Sequence, residues 1–232
     1  MKRIALWSLA VVALLSSVLV SAWAAAGTSG KAGAVPARTA VVLLVPASAD
    51  TAVFAGGCFW GVEAVFEHVK GVYSAESGYA GGKSTSPSYE EVSSGNTGHA
   101  ESVRVVYDPA QISYGQLLQV FFRVAHDPTQ LNRQSPDVET QYRSAIFYQN
   151  TEQKSAAESY VAQLSRAKAF SSPIVTQIAP LAVFNLAEAY HQGYLERHPT
   201  QPYIVINDAP KLEHLQREFP ALYRDKANAE GA

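Results

Sequence analysis

The only cysteine of the sequence, Cys58, stands between a glycine pair and an aromatic pair, in the order Gly56, Gly57, Cys58, Phe59, Trp60. The residues before the glycines have the pattern of a short strand, and apolar side chains recur at helical spacing after the cysteine. This order places the thiol at or just before a helix N-terminus, where free backbone N–H groups and the helix dipole favour negative charge. We therefore predict a reactive thiolate of lowered pKa, with a small buried hydrophobic side chain as the alternative.

The two aromatic residues after the cysteine could form an apolar wall around a small methyl-bearing group. Phe59 also shares the helical spacing of Val62 and Phe66, so packing in the core is a serious alternative for this residue. Trp60 lies off that apolar face, and its position favours a role in a pocket.

The pattern of the remaining sequence predicts short strands alternating with amphipathic helices. No repeat or break in composition divides residues 51–223, so we predict one α+β domain. The predicted strands are 51–54, 103–107, 143–149 and 174–178; the predicted helices run from Phe59 to a stop at Gly71, from a Ser113 cap to Ala125, and over 151–168 and 186–198.

The composition excludes several classes of protein. With 232 residues, 47% of them hydrophobic, the chain is too apolar to be disordered and long enough for a sizeable core. A net charge of -2 argues against a nucleic-acid-binding surface. One cysteine permits no disulfide within the chain and no thiolate-rich zinc or iron–sulfur centre, and nothing suggests another metal or organic cofactor. Without heptads or an apolar seam, we expect a monomer.

The N-terminal segment has the features of an export signal. Lys2 and Arg3 precede an apolar run over 4–20, and Ala22 and Ala24 have the spacing of a secretory cleavage site. We predict a signal peptide at 1–24 and hence a periplasmic or secreted protein, although 4–26 could also be an uncleaved membrane anchor. Small residues and prolines predict a flexible arm at 25–50, followed by a catalytic domain at 51–224 and a tail at 225–232.

Seven segments resemble peptide methionine sulfoxide reductases of the A type, in the same order along the chain. The resemblance extends over residues 51–224 and implies a two-layer α/β sandwich with a mixed sheet and a ferredoxin-like core. The segments are GGCFWGVE at 56–63, SGYAGG at 77–82, SYEEV at 88–92, GNTGHAESVRVVYDP at 95–109, HDPTQLNRQ at 126–134, QYRSAIFY at 141–148 and AEAYHQGYL at 187–195.

The resemblance implies roles for four catalytic residues. Cys58 would attack the sulfur of methionine-S-sulfoxide, free or within a protein, and become a sulfenic acid. Glu101 would be the acid that protonates the sulfoxide oxygen, which requires burial to raise its pKa. Tyr89 and Tyr142 would donate hydrogen bonds to the same oxygen.

Four further residues would bind the substrate. The resemblance places Phe59 and Trp60 around its terminal methyl group, and Asp137 where it organises substrate and solvent. His191 matches a histidine near the family's site, although a histidine on a helix surface is more often simply solvated.

The sequence departs from the family pattern in two ways. Ser135 and Glu139 stand where glycines are usual, and Ala189 replaces a common acidic residue. Many relatives also have a second, resolving cysteine, which this sequence lacks. We therefore predict that an external thiol, from a thioredoxin-like protein or a small molecule, resolves the sulfenic acid, and that oxidised proteins are the partners on the substrate side.

Two other functions remain open at the level of sequence. Cys58 could be the nucleophile of a hydrolase or acyltransferase, activated by His99 or His191. The chain could also be a periplasmic binding module in which Cys58 is buried and inert.

Overall fold

The computed structural model describes residues 46–225. The predicted signal peptide, the arm up to residue 45 and the tail from residue 226 therefore lie outside the described residues. Within residues 46–225, no helix combines the length and apolar character needed to cross a membrane.

The described residues form a six-stranded sheet, a separate two-stranded hairpin and six α-helices. The strands are β1 (Asp50–Gly56), β2 (Val72–Ala80), β3 (Ala100–Tyr107), β4 (Arg133–Gln134), β5 (Asp137–Val138), β6 (Ser144–Tyr148), β7 (Gln177–Pro180) and β8 (Phe184–Leu186). The helices are α1 (Phe59–Glu67), α2 (Tyr89–Ser93), α3 (Tyr114–Val120), α4 (Thr151–Arg166), α5 (Tyr194–Arg197) and α6 (Ala209–Glu218).

The large sheet is mixed, as the family resemblance implied. Its strand order is β7-β6-β1-β3-β2-β8, and every neighbouring pair is antiparallel except β6 and β7. Helix α1 carries the chain from β1 to β2 and packs against β2 and β3. The start of α1 therefore lies beside the central strands of the sheet, and β4 and β5 pair only with each other.

Helix caps explain where several helices begin. The side chains of Ser88 and Ser113 each accept a hydrogen bond from the backbone N–H three residues later. In return, their own backbone N–H groups donate to the side chains of Glu91 and Gln116 respectively. Asn150 caps α4. The Ser113 cap was predicted, but the helix beyond it changes at Phe121–Ala125 into a π-helical turn.

The main core lies between the sheet and the helices. Phe54 of β1 stacks against Phe66 and Phe121 at ring-centroid distances of 5.2 and 4.8 Å. Valine, leucine, isoleucine, alanine and aromatic side chains make up the buried hydrophobic core around them. Cys58 is also buried. A smaller cluster that includes Val53, Ala55 and Phe147 covers the other face of the central strands.

The predicted helix at 186–198 is wrong. Leu186 ends β8, where it pairs with Gly78 of β2, and only Tyr194–Arg197 is helical. The intervening backbone is held by tertiary contacts: the Gln192 side chain donates to the carbonyl oxygens of Ser77 and Ala187, at 3.0 Å each. The contact with Ser77 of β2 and the pairing of β8 with β2 prevail over the local helical pattern.

Other elements differ from the sequence pattern in smaller ways. The strand predicted at 174–178 begins three residues later, as Gln177–Pro180, and β2 and α6 were not predicted at all. Buried and exposed residues do not alternate along β2, because its pairing with β3 is irregular between Val72 and Ser74 and its last four residues are all buried. Its pattern therefore lacked the periodicity by which a half-buried strand is recognised.

Candidate active site

Cys58 is the N-cap residue of α1, the position that the sequence predicted. The preceding residue, Gly57, has a φ of 92°, a conformation that favours glycine. A Cβ at Gly57 would also lie 2.5 Å from Cγ of Gln134, so a larger residue could not fit beneath the β4–β5 hairpin. The glycine thus sets the sharp turn that delivers the thiol from β1 to the start of the helix.

Glu101 reaches the same helix terminus from β3. Its Oε2 accepts a hydrogen bond of 3.0 Å from the backbone N–H of Phe59, the first residue of α1. The residue is only 2% exposed, and burial raises the pKa of its carboxyl group to about 8. Glu101 is therefore largely protonated at neutral pH, and it can donate a proton.

A cavity of about 270 Å³ lies in front of these two groups. It brings together seven of the eight residues singled out in the sequence, from α1, α2, β3, β5 and the 3₁₀ turn Thr140–Tyr142. Larger cavities elsewhere, one of about 480 Å³, contain none of these residues. The lining of the site consists of Cys58, Phe59, Trp60, Tyr89, Glu101, Asp137, Tyr142, Gln201 and Tyr203.

The phenol groups of Tyr89 and Tyr142 remain protonated at neutral pH. Burial is the main cause that raises the pKa of each hydroxyl, and the nearby Glu101 carboxyl raises it further. Both side chains can therefore donate a hydrogen bond to an oxygen held in the cavity.

Asp137 lies at the start of β5 and receives a hydrogen bond at Oδ2 from the hydroxyl of Tyr203. Burial raises the pKa of its carboxyl group, although the bond from Tyr203 opposes this shift. The contact joins the β4–β5 hairpin to the C-terminal part of the domain across the cavity.

His191 is buried behind the cavity rather than solvated on a helix surface. It is 1% exposed, and its Nδ1 accepts a hydrogen bond of 3.0 Å from the indole Nε1 of Trp60. Burial lowers the pKa of the imidazole, so the ring is neutral and can act as this acceptor. His191 therefore fixes the orientation of Trp60 and does not line the cavity itself.

Aromatic contacts complete the wall around the indole. Tyr194 stacks on Trp60 with a ring-centroid distance of 3.8 Å, and Tyr203 meets it edge-on at 5.9 Å. Tyr194, Gln201 and Tyr203 were not singled out from the sequence, because the chain has 12 tyrosines and the helix prediction for 186–198 was wrong. Only the proline-rich spacing after the HisGln pair could have indicated a loop there.

The pKa of the Cys58 thiol is raised, whereas the sequence predicted a lowered one. Burial raises the pKa of Cys58 well above its ordinary value, and the charges of Glu101 and Asp208 raise it further. The backbone N–H of Trp60 acts in the opposite direction, as expected at a helix N-terminus, but it does not compensate for the loss of solvent. Cys58 is therefore a thiol at neutral pH, and its proton must leave before the sulfur can act as a thiolate.

Neither histidine is placed to activate Cys58 as in a cysteine hydrolase. His99 is hydrogen-bonded through its two ring nitrogens to the backbone of Ser84 and Gly82. His191 is engaged with Trp60. The groups that face the thiol are instead a protonated carboxyl group and two phenols, which suit protonation of an oxygen rather than abstraction of a proton by imidazole.

A single buried thiol at a helix terminus, beside an acid and two phenols, defines a cysteine-dependent reductase of an oxygen-bearing substrate. The model of the family "Peptide methionine sulfoxide reductase" matches residues 50–222. The chain belongs to this family and is an oxidoreductase that reduces peptide methionine sulfoxide.

Individual relatives agree with this assignment. The chain is 58% identical over 177 residues to peptide methionine sulfoxide reductase MsrA 2 of Mesorhizobium japonicum, covering 76% of this chain and 91% of the relative. It is 50% identical to MsrA 2 of Synechocystis, over 78% and 83% of the two chains. Among solved structures, reduced Mxr1 of Saccharomyces cerevisiae is similar with a TM-score of 0.63 and 35% identity, over 67% of this chain and 89% of that one.

The loop that carries Asp137 and Tyr142 contains a strained residue. Glu139 has a φ of 111°, in a region that favours glycine, whereas Ser135 does not have a positive φ.

We expect Glu139→Gly to raise the free energy of unfolding by about 1 kcal/mol, because it removes the steric strain of the Cβ. Urea titration measures the change. Glu139→Ala keeps the Cβ and should give no gain; equal stabilisation by both variants would show that the backbone conformation is not the cause.

Proposed function

We propose that the enzyme reduces the S epimer of methionine sulfoxide, free and within proteins, by transferring the sulfoxide oxygen to Cys58. The observation that carries the proposal is the cavity in which the Cys58 thiol, the protonated Glu101 and two phenols converge. Repair of oxidatively damaged proteins is the function that this reaction serves.

Glu101 supplies the acid catalysis. The sulfoxide oxygen leaves sulfur poorly unless it is protonated, and a carboxyl group with a pKa of about 8 carries a proton at neutral pH. The hydrogen bond from the N–H of Phe59 to Oε2 fixes the carboxyl group beside the nucleophile. When Glu101 has given its proton to the sulfoxide oxygen, its carboxylate can accept the proton of the Cys58 thiol, so that Glu101 ends the step protonated again.

The oxygen transfer needs only Cys58 and the sulfoxide as reactants. The Cys58 sulfur attacks the sulfoxide sulfur, the oxygen passes to Cys58, and the bond between the two sulfurs breaks. The substrate sulfur gains two electrons and leaves as the thioether of methionine, and Cys58 becomes a sulfenic acid. Hydrogen bonds from Tyr89 and Tyr142 would stabilise the developing charge on the oxygen.

Phe59 and Trp60 supply the apolar part of the site. Their rings lie on the cavity wall beside Cys58, and the indole is held by His191 and by stacking on Tyr194. A rigid wall of this kind suits the terminal methyl group of the substrate. Asp137 and Tyr203, joined by their hydrogen bond, add polar groups to the lining of the same cavity.

An external thiol closes the redox cycle. The sequence contains one cysteine, so no second thiol of the same chain can attack the sulfenic acid. A thioredoxin-like protein or a small thiol would attack the Cys58 sulfur and release water, and a second thiol would then free Cys58. We expect no resident cofactor and a monomeric enzyme.

The proposal also covers the type of fold and the location of the protein. The strand order β6-β1-β3-β2, with antiparallel neighbours, supports a ferredoxin-like core that β7 and β8 extend at its edges. The basic and apolar N-terminal sequence supports a signal peptide at 1–24, an arm at 25–50 and a periplasmic or secreted location.

We expect peptides with the S epimer of methionine sulfoxide to be reduced in the presence of dithiothreitol, and peptides with the R epimer to be left unchanged. The cavity lining offers aromatic rings for the terminal methyl group and separate donors for the sulfoxide oxygen, so we expect only one epimer to place both groups while its sulfur faces Cys58. Chromatography of the peptides measures the products. Cys58→Ser should remove all turnover; equal reduction of both epimers, or activity without Cys58, would contradict the proposed function.

A further inference from the structure

A buried ion pair lies close to Cys58 but outside the lining of the cavity. Asp208 ends the π-helical turn Ile204–Asp208, and Lys211 lies on the first turn of α6. The Nζ of Lys211 is 3.1 Å from Oδ1 of Asp208, and the two side chains are 19% and 0% exposed. The second carboxylate oxygen, Oδ2, is buried and has no hydrogen-bond partner.

The pair packs against the first turn of α1. A Cβ built on Gly61 would lie 2.1 Å from Oδ1 of Asp208 and 2.7 Å from Nζ of Lys211. Gly61 is the third residue of the helix that Cys58 caps. Both charged groups therefore occupy the space beside the N-terminal turn, and glycine is the residue that lets them approach.

A carboxylate beside the N-terminus of α1 competes with the Cys58 thiolate for the positive end of the helix dipole. The N-terminus of a helix favours one negative charge, and a second negative charge nearby opposes it. An unpaired buried carboxylate would therefore disfavour ionisation of Cys58.

We propose that Lys211 is a positioning residue that neutralises Asp208 beside the N-terminus of α1, and so leaves this terminus available to the Cys58 thiolate. The inference rests on the proposed function in so far as Cys58 is its nucleophile. It assigns a role in catalysis to two residues that do not touch the substrate cavity.

The direction of the charges around Cys58 agrees with this role. The charge of Asp208 raises the pKa of the thiol, and the charge of Lys211 lowers it. Glu101 is the neighbour that titrates near neutral pH, and the pKa of Asp208 itself is raised by burial. The other titratable groups around the thiol are Tyr89, Asp137, Tyr142 and Tyr203 in the cavity and His126 behind Gly56.

The rate at which iodoacetamide alkylates Cys58, followed against pH, tests the proposal without using reductase activity. We expect Lys211→Met to move the midpoint of the profile upward by about one pH unit, which slows alkylation about tenfold below the midpoint. Asp208→Asn should move it downward, and the double variant should return close to the wild-type profile. The same series in Glu101→Gln protein removes the other titration near neutral pH.

Matched variants separate charge from structure. Lys211→Arg keeps the positive charge and should restore the wild-type profile, and Lys154→Met removes an exposed lysine on α4 and should leave the profile unchanged. If Asp208→Asn does not fold, the comparison of Lys211→Met with Lys211→Arg still shows whether the charge of residue 211 controls the alkylation profile of Cys58. Identical midpoints in these two variants, or shifts of Lys211→Met and Asp208→Asn in the same direction, would overturn the proposal even if the enzyme reduces methionine sulfoxide.

Discussion

Reduced enzyme mixed with an excess of methionine sulfoxide, in the absence of any thiol, is expected to release one equivalent of methionine and then stop. The reason is that Cys58 is the single cysteine of the sequence. Once its sulfur has accepted the sulfoxide oxygen, no second cysteine of the chain can reduce it. The yield of methionine in this experiment thus counts active sites.

Rapid quenching and mass spectrometry measure the outcome. The protein should gain the mass of one oxygen atom, on the peptide that contains Cys58, and a sulfenic-acid trapping reagent should capture it. Addition of dithiothreitol or a thioredoxin should restore multiple turnover. Cys58→Ser, the control, should release no methionine, and repeated turnover by the thiol-free wild-type enzyme would refute the scheme.

Replacement of Glu101 by glutamine is expected to lower kcat by about two to three orders of magnitude. The amide keeps the shape of the side chain and can still accept the hydrogen bond from the N–H of Phe59, but it cannot donate the carboxyl proton. The wild-type rate should fall as the pH rises above about 8, where Glu101 loses its proton. This alkaline limb should be absent from the residual activity of the variant.

The same substitution should stabilise the protein at alkaline pH. The raised pKa of Glu101 means that the folded state holds a proton that the unfolded state releases between about 4.5 and about 8. The wild-type protein therefore loses stability as the pH rises through this window, whereas the glutamine variant does not. We expect a gain of a few kcal/mol in the free energy of unfolding above pH 8, which vanishes towards pH 4.5.

Urea titrations at several pH values measure this difference. Glu158→Gln, which changes an exposed glutamate on α4, is the matched control and should show almost no dependence of its effect on pH. A Glu101→Gln variant that loses stability at alkaline pH would contradict the assignment of a protonated, buried acid.

Local patterns in the sequence were sufficient to predict the part of the site that surrounds the nucleophile. The glycine pair, Cys58 and the apolar spacing after it define a strand, a turn and a helix, and the structure has this order. The Ser113 cap was also recognisable, because a cap depends on a few neighbouring residues. The family's usual glycines suggested a positive φ at both Ser135 and Glu139, and only Glu139 has one.

The features that could not be predicted depend on contacts between distant segments. The burial of His191, the stacking of Tyr194 on Trp60 and the pairing of β8 with β2 all require the folded sheet. The raised pKa of Cys58 has the same origin, because the helix terminus is local and visible in the sequence whereas desolvation is not. Propensity and periodicity do not report such contacts.

The composition of the core affects how well the enzyme resists oxidation. The sequence has a single methionine, Met1, so no thioether occurs in the buried clusters or on the cavity wall. Oxidants that convert methionine into a polar sulfoxide, and so loosen hydrophobic packing, have no such target in residues 46–225. The protein that repairs this lesion in others is built so that its own folded domain does not acquire it.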